Sequence, residues 1–469
     1  MTINEIDIED CVQSGCLAHG NIYHKISSHD QQLIQDRLLD YYDREKRTNM
    51  PWRKPTRTDL DSKALGQRAY EVATVIGYYD RWMEAFPTIQ DLAIADIEKV
   101  NELWAGLGYY SRARRLWEGA QKVCNEFNGL LPNNADDLQK HIPGVGRYTA
   151  GAVASIVFNQ VTPVVDGNVI RVIARLRAIS ADTKKSNTVE LFWDIAAQLT
   201  SKERPGDFNQ AMMELGARVC TPQNPECDTC PVQKNCHAYA QKQIHARLKT
   251  EKFWEQKKRK RPIDHECTYC PEIKSNLDQD EDYVVTRYPA KPEKKKPRDE
   301  ECAVYIVQSN SKFLISKRPD TGLLAGLWEF PSLELESLET TYEGRSAKAS
   351  DFLHERYDLD ITKNKVTKRQ DLGNVVHLFS HIRKVYHVEW VQVSEESVVE
   401  DEDQVKWVTM DELKKSPIPT GLKKALALLE KSQNQKKSTT KSNPSANKKQ
   451  KVIKNTADIK SFFVSTNKS

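Results

Sequence analysis

Four cysteines within a short span constrain this chain more than any other feature. Cys220, Cys227, Cys230 and Cys236 follow the pattern C-x6-C-x2-C-x5-C, which lets four thiolates wrap one metal centre. The chain has ten cysteines, and its acidic N-terminus, MTINEIDIEDC, lacks a signal-peptide core. An intracellular protein is therefore expected, with thiols that bind metal or stay free rather than pair as disulfides. Zinc and an iron–sulfur cluster both accept four cysteines, and the spacing leaves the two open.

At 469 residues the chain is too long for one core, and two to three domains are expected. Its 70 basic and 66 acidic side chains leave a net charge of +4, so binding to nucleic acid must be argued from local clusters. No apolar run reaches the length needed to cross a membrane. Residues 1–28 are polar and read as an N-terminal extension. A helix starts near Asp30, with Leu33, Ile34, Leu38, Tyr41 and Tyr42 at helical spacing, and Asn49-Met50-Pro51 breaks it. From Ala69 to Ala240 helix follows helix, with one long helical pattern over Asp96–Val123, so residues 29–243 are expected to form an all-α domain. Residues 244–300 turn basic and proline-containing (KKRKRP, KPEKKKPRDE), which suits an interdomain connector. From Cys302 the period falls to two. AVYIV, FLISKR, VVHLFSHI and KVYHVEWVQV read as strands, with helices near Asp351 and Leu422, which makes residues 301–430 an α+β domain. Residues 431–469 form a tail of disordered composition that carries one apolar knot, Ile459–Val464.

Within the helical run, His141–Arg171 reads HIPGVGRYTAGAVASIVFNQVTPVVDGNVIR. Pro143-Gly144-Val145-Gly146 cannot continue a helix, so it is a tight turn between two helices. The turn leaves backbone N–H groups at the start of the next helix, where a DNA phosphate can be held, and Arg147 adds charge beside it. The helix Tyr148–Phe158 is rich in Ala, Gly and Ser, so its neighbours can approach closely. Asp166-Gly167-Asn168 then supplies a helix N-cap. Taken alone, PGVG is an ordinary helical turn; its pairing with VDGNVIRV is far more specific.

PGVG followed by VDGNV and then by C-x6-C-x2-C-x5-C resembles the endonuclease III superfamily of helix–hairpin–helix DNA glycosylases. Within that superfamily the chain is similar to adenine DNA glycosylases of the MutY type, a likeness that covers most of residues 22–430, including ELWAGLGYYSRARRL, RPGDFNQAMMELGA, GLLAGLWEFP and HLFSHI. The resemblance implies an all-α glycosylase domain with a [4Fe-4S] cluster on the four cysteines, followed by a Nudix-like α+β domain. It implies removal of adenine mispaired with 8-oxoguanine in double-stranded DNA. Asp166 matches the carboxylate that stabilises the oxocarbenium-like transition state, and Asn168 its polar neighbour. Tyr148 stands where lyase-competent relatives carry a Schiff-base lysine, which implies a monofunctional glycosylase that uses water. Tyr109 and Tyr110 fall in the segment that resembles the duplex-entering loop; packing of both in the core is the alternative. Phe379, Ser380 and His381 match the loop that inspects 8-oxoguanine, and a strand end with a buried Phe is compatible with that role.

One departure stands out. The family pattern R-x-Y-x-V-W-V-S-E-x-M-L-Q-Q-T-x-V-x-T-V-I is represented here by Arg68-Ala69-Tyr70-Glu71-Val72 followed at once by Ala73-Thr74-Val75-Ile76. About a dozen residues, or about three helical turns, are missing. They include the glutamate that in the family protonates adenine. Glu71 is the nearest carboxylate, but by family position it is a surface residue. Little or no adenine excision is therefore expected from this version of the chain.

Further expectations come from the remaining motifs. His24 with Cys267 and Cys270 resembles a zinc-linking site of some animal members; unliganded thiols in a linker are the alternative, and His265 could replace a missing third cysteine. The R-E-x-x-E-E core of a working Nudix motif is absent between Gly326 and Ile361, which argues against pyrophosphate hydrolysis. Thr456-x-x-Ile459-x-x-Phe462-Phe463 resembles a sliding-clamp-binding peptide. The basic runs Lys257–Arg261 and Lys294–Lys296 suit nuclear import or solvated linker charge. A nuclear monomer is expected, with the mitochondrion as a second location. Two other functions compete: a non-catalytic mismatch-binding or clamp-adaptor protein, and an endonuclease III-like lyase.

Overall fold

The computed structural model describes residues 21–48, 50–51, 72–250, 267–270, 285–290, 296–319, 321–336, 341–361, 366–379, 381–397, 399 and 401–439. The apolar knot and the clamp-like peptide at Thr456–Phe463 lie outside these residues, as do Glu71, His265 and Ser380.

Helices α1 (Ser28–Glu45), α2 (Val72–Ala85), α3 (Ile89–Ala93), α4 (Ile97–Trp104), α5 (Ser111–Glu126), α6 (Ala135–His141), α7 (Arg147–Phe158), α8 (Gly167–Leu176), α9 (Ser186–Leu199), α10 (Pro205–Arg218) and α11 (His237–Thr250) build the first half of the protein. Helix α1 starts where the Ser27 side chain accepts from the Asp30 amide, and its stripe of Ile34, Leu38, Tyr41 and Tyr42 is buried as its period requires. The helices gather around two apolar centres. One joins α1 to α8, α9 and α10, with Ile34, Val169, Ile173, Phe192, Phe208 and Leu215 at its heart. The other joins α2 to α7, with Val100, Ala120, Leu138, Val153 and Ala154 fully or almost fully buried. The turn and start of α7 belong to the second centre, and Val165 and α8 to the first. His141–Arg171 thus crosses from one to the other.

Small residues set the distance between these helices. A Cβ on Gly206 of α10 would lie 2.6 Å from the Ser155 carbonyl oxygen and 2.8 Å from the Ile156 Cα of α7. Gly151 of α7 faces the Pro163 carbonyl just as closely. The expectation of close approach along an Ala/Gly/Ser helix is met, because only hydrogen fits at both positions.

Two element boundaries differ from the sequence reading. Asp96–Val123 is not one helical run: Gly106 (φ 101°), Gly108 (φ 73°) and Tyr109 (φ 47°) occupy the left-handed region, so the chain leaves α4 and turns before α5. Described parts of the connector pack on the helical domain, which its composition did not suggest. Helix α11 continues to Thr250, and Val285 and Tyr288 are buried against the first apolar centre. Tyr23 and His24 of the N-terminal extension are buried with it. Arg177, itself buried, holds that segment by donating to the Tyr23 and Lys25 carbonyls.

The second half is a seven-stranded mixed sheet with the main order β3-β2-β1-β6-β5, built from β1 (Arg298–Ser309), β2 (Lys312–Lys317), β3 (Trp328–Glu329), β4 (Ser332–Leu335), β5 (Val366–Leu378), β6 (Ile382–Val393) and β7 (Val405–Thr409). Strands β1 and β6 run parallel from Arg298↔Ile382 to Ser309↔Val393. Alternation along β1 serves two cores: Val304 and Ile306 pack with α14 (Thr420–Thr439), while Ala303, Tyr305 and Val307 pack with α12 (Tyr342–Tyr357). A short α13 (Met410–Lys415) leads into α14. VVHLFSHI is not one strand. It ends β5 at Leu378, turns where the Phe379 amide donates to the Ile382 carbonyl at 2.8 Å, and begins β6. Among the described residues no helix is long and apolar enough to cross a membrane.

Gly206→Ala should force α7 and α10 apart and lower stability by about 1–3 kcal/mol, measured as a shift in the urea unfolding midpoint.

Candidate active site and metal centres

The turn before α7 needs glycine for two reasons. Gly144 has φ 77°, and a Cβ there would lie 2.7 Å from Arg115 Cβ. Val145 points inward: it is buried, and its amide donates to the Ile142 carbonyl at 3.2 Å. Its side chain anchors the turn in the core, beside the backbone expected to face DNA. Gly146 is the N-cap of α7 with no side chain to cover the amides of the first turn, which leaves that helix end open to an anion. Arg147 is less available than expected. It pairs with Glu190 at 2.9 Å and stacks on Trp193 with 4.1 Å to the ring centroid.

Asp166 caps α8. Its Oδ1 accepts from the Asn168 and Val169 amides, both at 2.8 Å, and its Oδ2 accepts from Asn168 Nδ2 at 3.1 Å. These three donors fix the carboxylate's orientation at the positive end of the helix. Asn168 is held from behind: Arg171 Nη2 donates to Asn168 Oδ1 at 2.7 Å and to the Gly216 carbonyl at 2.6 Å. Gly216 lies so close that a Cβ would stand 2.7 Å from Asn168 Cβ. Tyr148 donates to Met213 Sδ at 3.4 Å, so α10 is approached by α7 at Tyr148 and by α8 at Asn168.

Tyr109 and Tyr110 separate. Tyr109 is 62% exposed, with the Arg112 guanidinium 4.6 Å from its ring centroid. Tyr110 is buried, and its hydroxyl accepts from the Gly106 amide at 3.1 Å. Core packing, the alternative for both, holds for Tyr110 alone. Phe379 and His381 flank the β5–β6 turn, where the His377 ring meets Phe379 edge-on at 4.6 Å and Leu378 is 68% exposed.

The four cysteines of the 220–236 loop surround the C-terminal part of α8. Arg175 Nη1 donates to Cys220 Sγ at 3.3 Å and to the Thr221 carbonyl at 2.7 Å, while Cys236 Sγ faces the Arg175 carbonyl at 3.3 Å. Arg171 Nε donates to the Cys220 carbonyl at 2.8 Å. Burial pushes the Cys230 thiol up to about 12 and Cys236 higher still, and Cys220 and Cys227 add to both shifts. Four thiols gathered at one helix end suit a metal centre, which would hold them as thiolates. A single zinc and an iron–sulfur cluster both accept four cysteines, so the sulfurs by themselves leave the two open.

The His24 group is compact. His24 Nε2 lies 3.3 Å from Cys267 Sγ and 3.4 Å from Cys270 Sγ. His24 Nδ1 is 2.9 Å from the Arg177 carbonyl, which can only accept, so Nδ1 carries the hydrogen and the Nε2 lone pair faces the sulfurs.

Arg171 and Arg175 were not singled out from the sequence. They stand one turn apart within an apolar helix, and that spacing of two cations on one face was the available signal.

Residues 65–198 match the family described as HhH-GPD superfamily base excision DNA repair protein, residues 220–236 the iron-sulfur binding domain of endonuclease III, and residues 302–428 the NUDIX domain. The 220–236 loop thus carries an iron–sulfur cluster. Purified protein should contain iron and acid-labile sulfide in equal amounts, and Cys236→Ser should bleach its visible absorbance. Among curated proteins, the chain is 42% identical to the adenine DNA glycosylase of Rattus norvegicus over 87% of this chain and 80% of that protein. It is 41% identical to that of Homo sapiens over 82% of this chain and 72% of that protein, and 37% identical to that of Schizosaccharomyces pombe over 88% and 93%. The chain belongs to the adenine DNA glycosylase family, DNA repair enzymes that hydrolyse N-glycosyl bonds.

Proposed function

We propose that this chain recognises adenine opposite 8-oxoguanine and cleaves its glycosidic bond through Asp166, at a rate cut by the loss of the family's general acid. The oriented Asp166 carboxylate carries this reading. Held by three donors at the end of α8, it is aimed rather than free to rotate. A fixed negative group beside a sugar that develops positive charge stabilises the oxocarbenium-like transition state without reorganising. With Tyr148 where a Schiff-base lysine would stand, water is the nucleophile and the product is an abasic site.

The target bond lies inside a stacked duplex, so the base must be extruded first. Exposed Tyr109 is the residue suited to enter the stack, and the amides of the α7 N-terminus are suited to grip a phosphate. Phe379, Ser380 and His381 inspect the 8-oxoguanine. The glutamate that protonates adenine belongs to turns that this sequence lacks between Val72 and Ala73. A second reading, a mismatch-binding protein that no longer cuts, rests on that same gap.

Zinc is proposed at His24, Cys267 and Cys270, because a preset Nε2 lone pair and two sulfurs converge there. This would tie the connector to the start of the helical domain. A nuclear location and clamp binding through Thr456–Phe463 complete the reading; basic runs in the connector and an apolar motif in the tail support them.

On a duplex carrying 8-oxoguanine opposite adenine, single-turnover excision should run about 10²–10⁴-fold below that of a version with the missing segment restored. Asp166→Asn should remove the remainder. Restoration without effect would show that another group supplies the proton. Cys267→Ser and Cys270→Ser should each lower the zinc content measured by atomic emission while leaving iron unchanged.

A further inference from the structure

The loop that projects Tyr109 is held by aromatic side chains from three places. Tyr78 of α2 donates its hydroxyl to the Ala105 carbonyl at 3.0 Å. Trp104, the last residue of α4, donates its indole N–H to the Gly108 carbonyl at 2.9 Å. Tyr110, on the far side, accepts from the Gly106 amide at 3.1 Å. Three polar groups of the loop backbone, at Ala105, Gly106 and Gly108, are therefore satisfied by side chains where regular structure offers no partner.

The three aromatics are themselves braced. Trp104 meets Trp82 edge-on at 5.5 Å, and Trp82 meets Phe86 at 5.1 Å. The Arg81 guanidinium lies 4.6 Å from the Tyr78 ring centroid. Gly106 has φ 101°, and a Cβ there would stand 2.6 Å from the Tyr78 hydroxyl oxygen, so glycine lets the clamp close. Tyr109 holds a left-handed backbone (φ 47°), a conformation that is unfavourable for a non-glycine residue and persists only where its surroundings enforce it.

We propose that Tyr78 is a positioning residue for mismatch recognition: with Trp104 and Tyr110 it presets the 105–109 loop so that Tyr109 meets the duplex already in its inserted conformation. The inference rests on the assignment of Tyr109 as the residue that enters the stack. Tyr78 touches no DNA in this scheme and acts through the Ala105 carbonyl. Preset loops bind more tightly because the ordering cost is met during folding rather than on binding.

The test is a double-mutant cycle on the full chain, with a fluorescent duplex bearing 8-oxoguanine opposite 2′-fluoro-2′-deoxyadenosine, which resists cleavage. Tyr109→Ala should weaken binding about tenfold, the scale of one lost aromatic stack. Tyr78→Phe, which removes only the hydroxyl, should weaken it about fivefold, the scale of one hydrogen bond. In the Tyr109→Ala background, Tyr78→Phe should have no further effect. Hydrogen exchange in the free protein gives a second readout: Tyr78→Phe should speed exchange of the 105–109 amides and leave those of α8 unchanged. Unaltered affinity of Tyr78→Phe, or an equal loss in both backgrounds, overturns the proposal. If Tyr109→Ala binds normally, the assignment of Tyr109 falls. The clamp is then judged by exchange alone, and unchanged exchange at 105–109 refutes it. Gly106→Ala, which cannot coexist with the Tyr78 hydroxyl in its present place, should reproduce the exchange phenotype.

Discussion

Helix α8 ties the reaction centre to the cluster loop. Its N-terminus is capped by Asp166, and the first turns carry Asn168 and Arg171, whose hydrogen bonds run without a break from the carboxylate to the Cys220 carbonyl. One turn further, Arg175 reaches the Cys220 sulfur. A buried guanidinium is costly unless its donors are met, and Arg175 meets them with carbonyls of Thr221, Pro222 and Tyr288 as well as with the sulfur. The loop can adopt this path only when α8 is in place, and the orientation of Asn168 depends on the arginine that the loop anchors.

The connector and the N-terminal segment lean on the same helix. Arg177, just past its end, donates to Tyr23 and Lys25, while its own carbonyl orients His24 toward Cys267 and Cys270. Arg171, Arg175 and Arg177 thus link the carboxylate, the four-cysteine loop and the His24 group. A disturbance in any of these should be felt at the others, because buried polar networks lose more than one bond when a member leaves.

The second half of the chain is built on a different economy, a parallel β1–β6 pair whose alternating side chains feed two separate cores. It meets the helical half through Glu98, which lies 3.4 Å from Lys317 and 3.9 Å from Lys406. Both lysines sit over the buried Trp328 ring, so their ammonium groups are held by an aromatic face and a carboxylate together. Pairs at this level of exposure contribute little to stability and more to register.

Much of this was legible in the sequence. The helical stripe of α1, the PGVG turn, the capping role of Asp166, the four-cysteine loop and the period-two strands all follow from local rules of φ, periodicity and ligand spacing, which act over a few residues. The gap after Val72 is also a property of the sequence alone. Only the tertiary structure separated Tyr109 from its neighbour: adjacent identical side chains look alike in a string, and burial and backbone sign decide which one faces water. It alone turned Val145 inward, paired Arg147 with Glu190, and docked Tyr288 from a connector whose composition suggested no fold. Arg171 and Arg175 of α8, and Arg177 just past it, were hidden for the same reason. Their long-range partners are carbonyls and a sulfur 45 to 154 residues away, and only folding brings such distant donors and acceptors together.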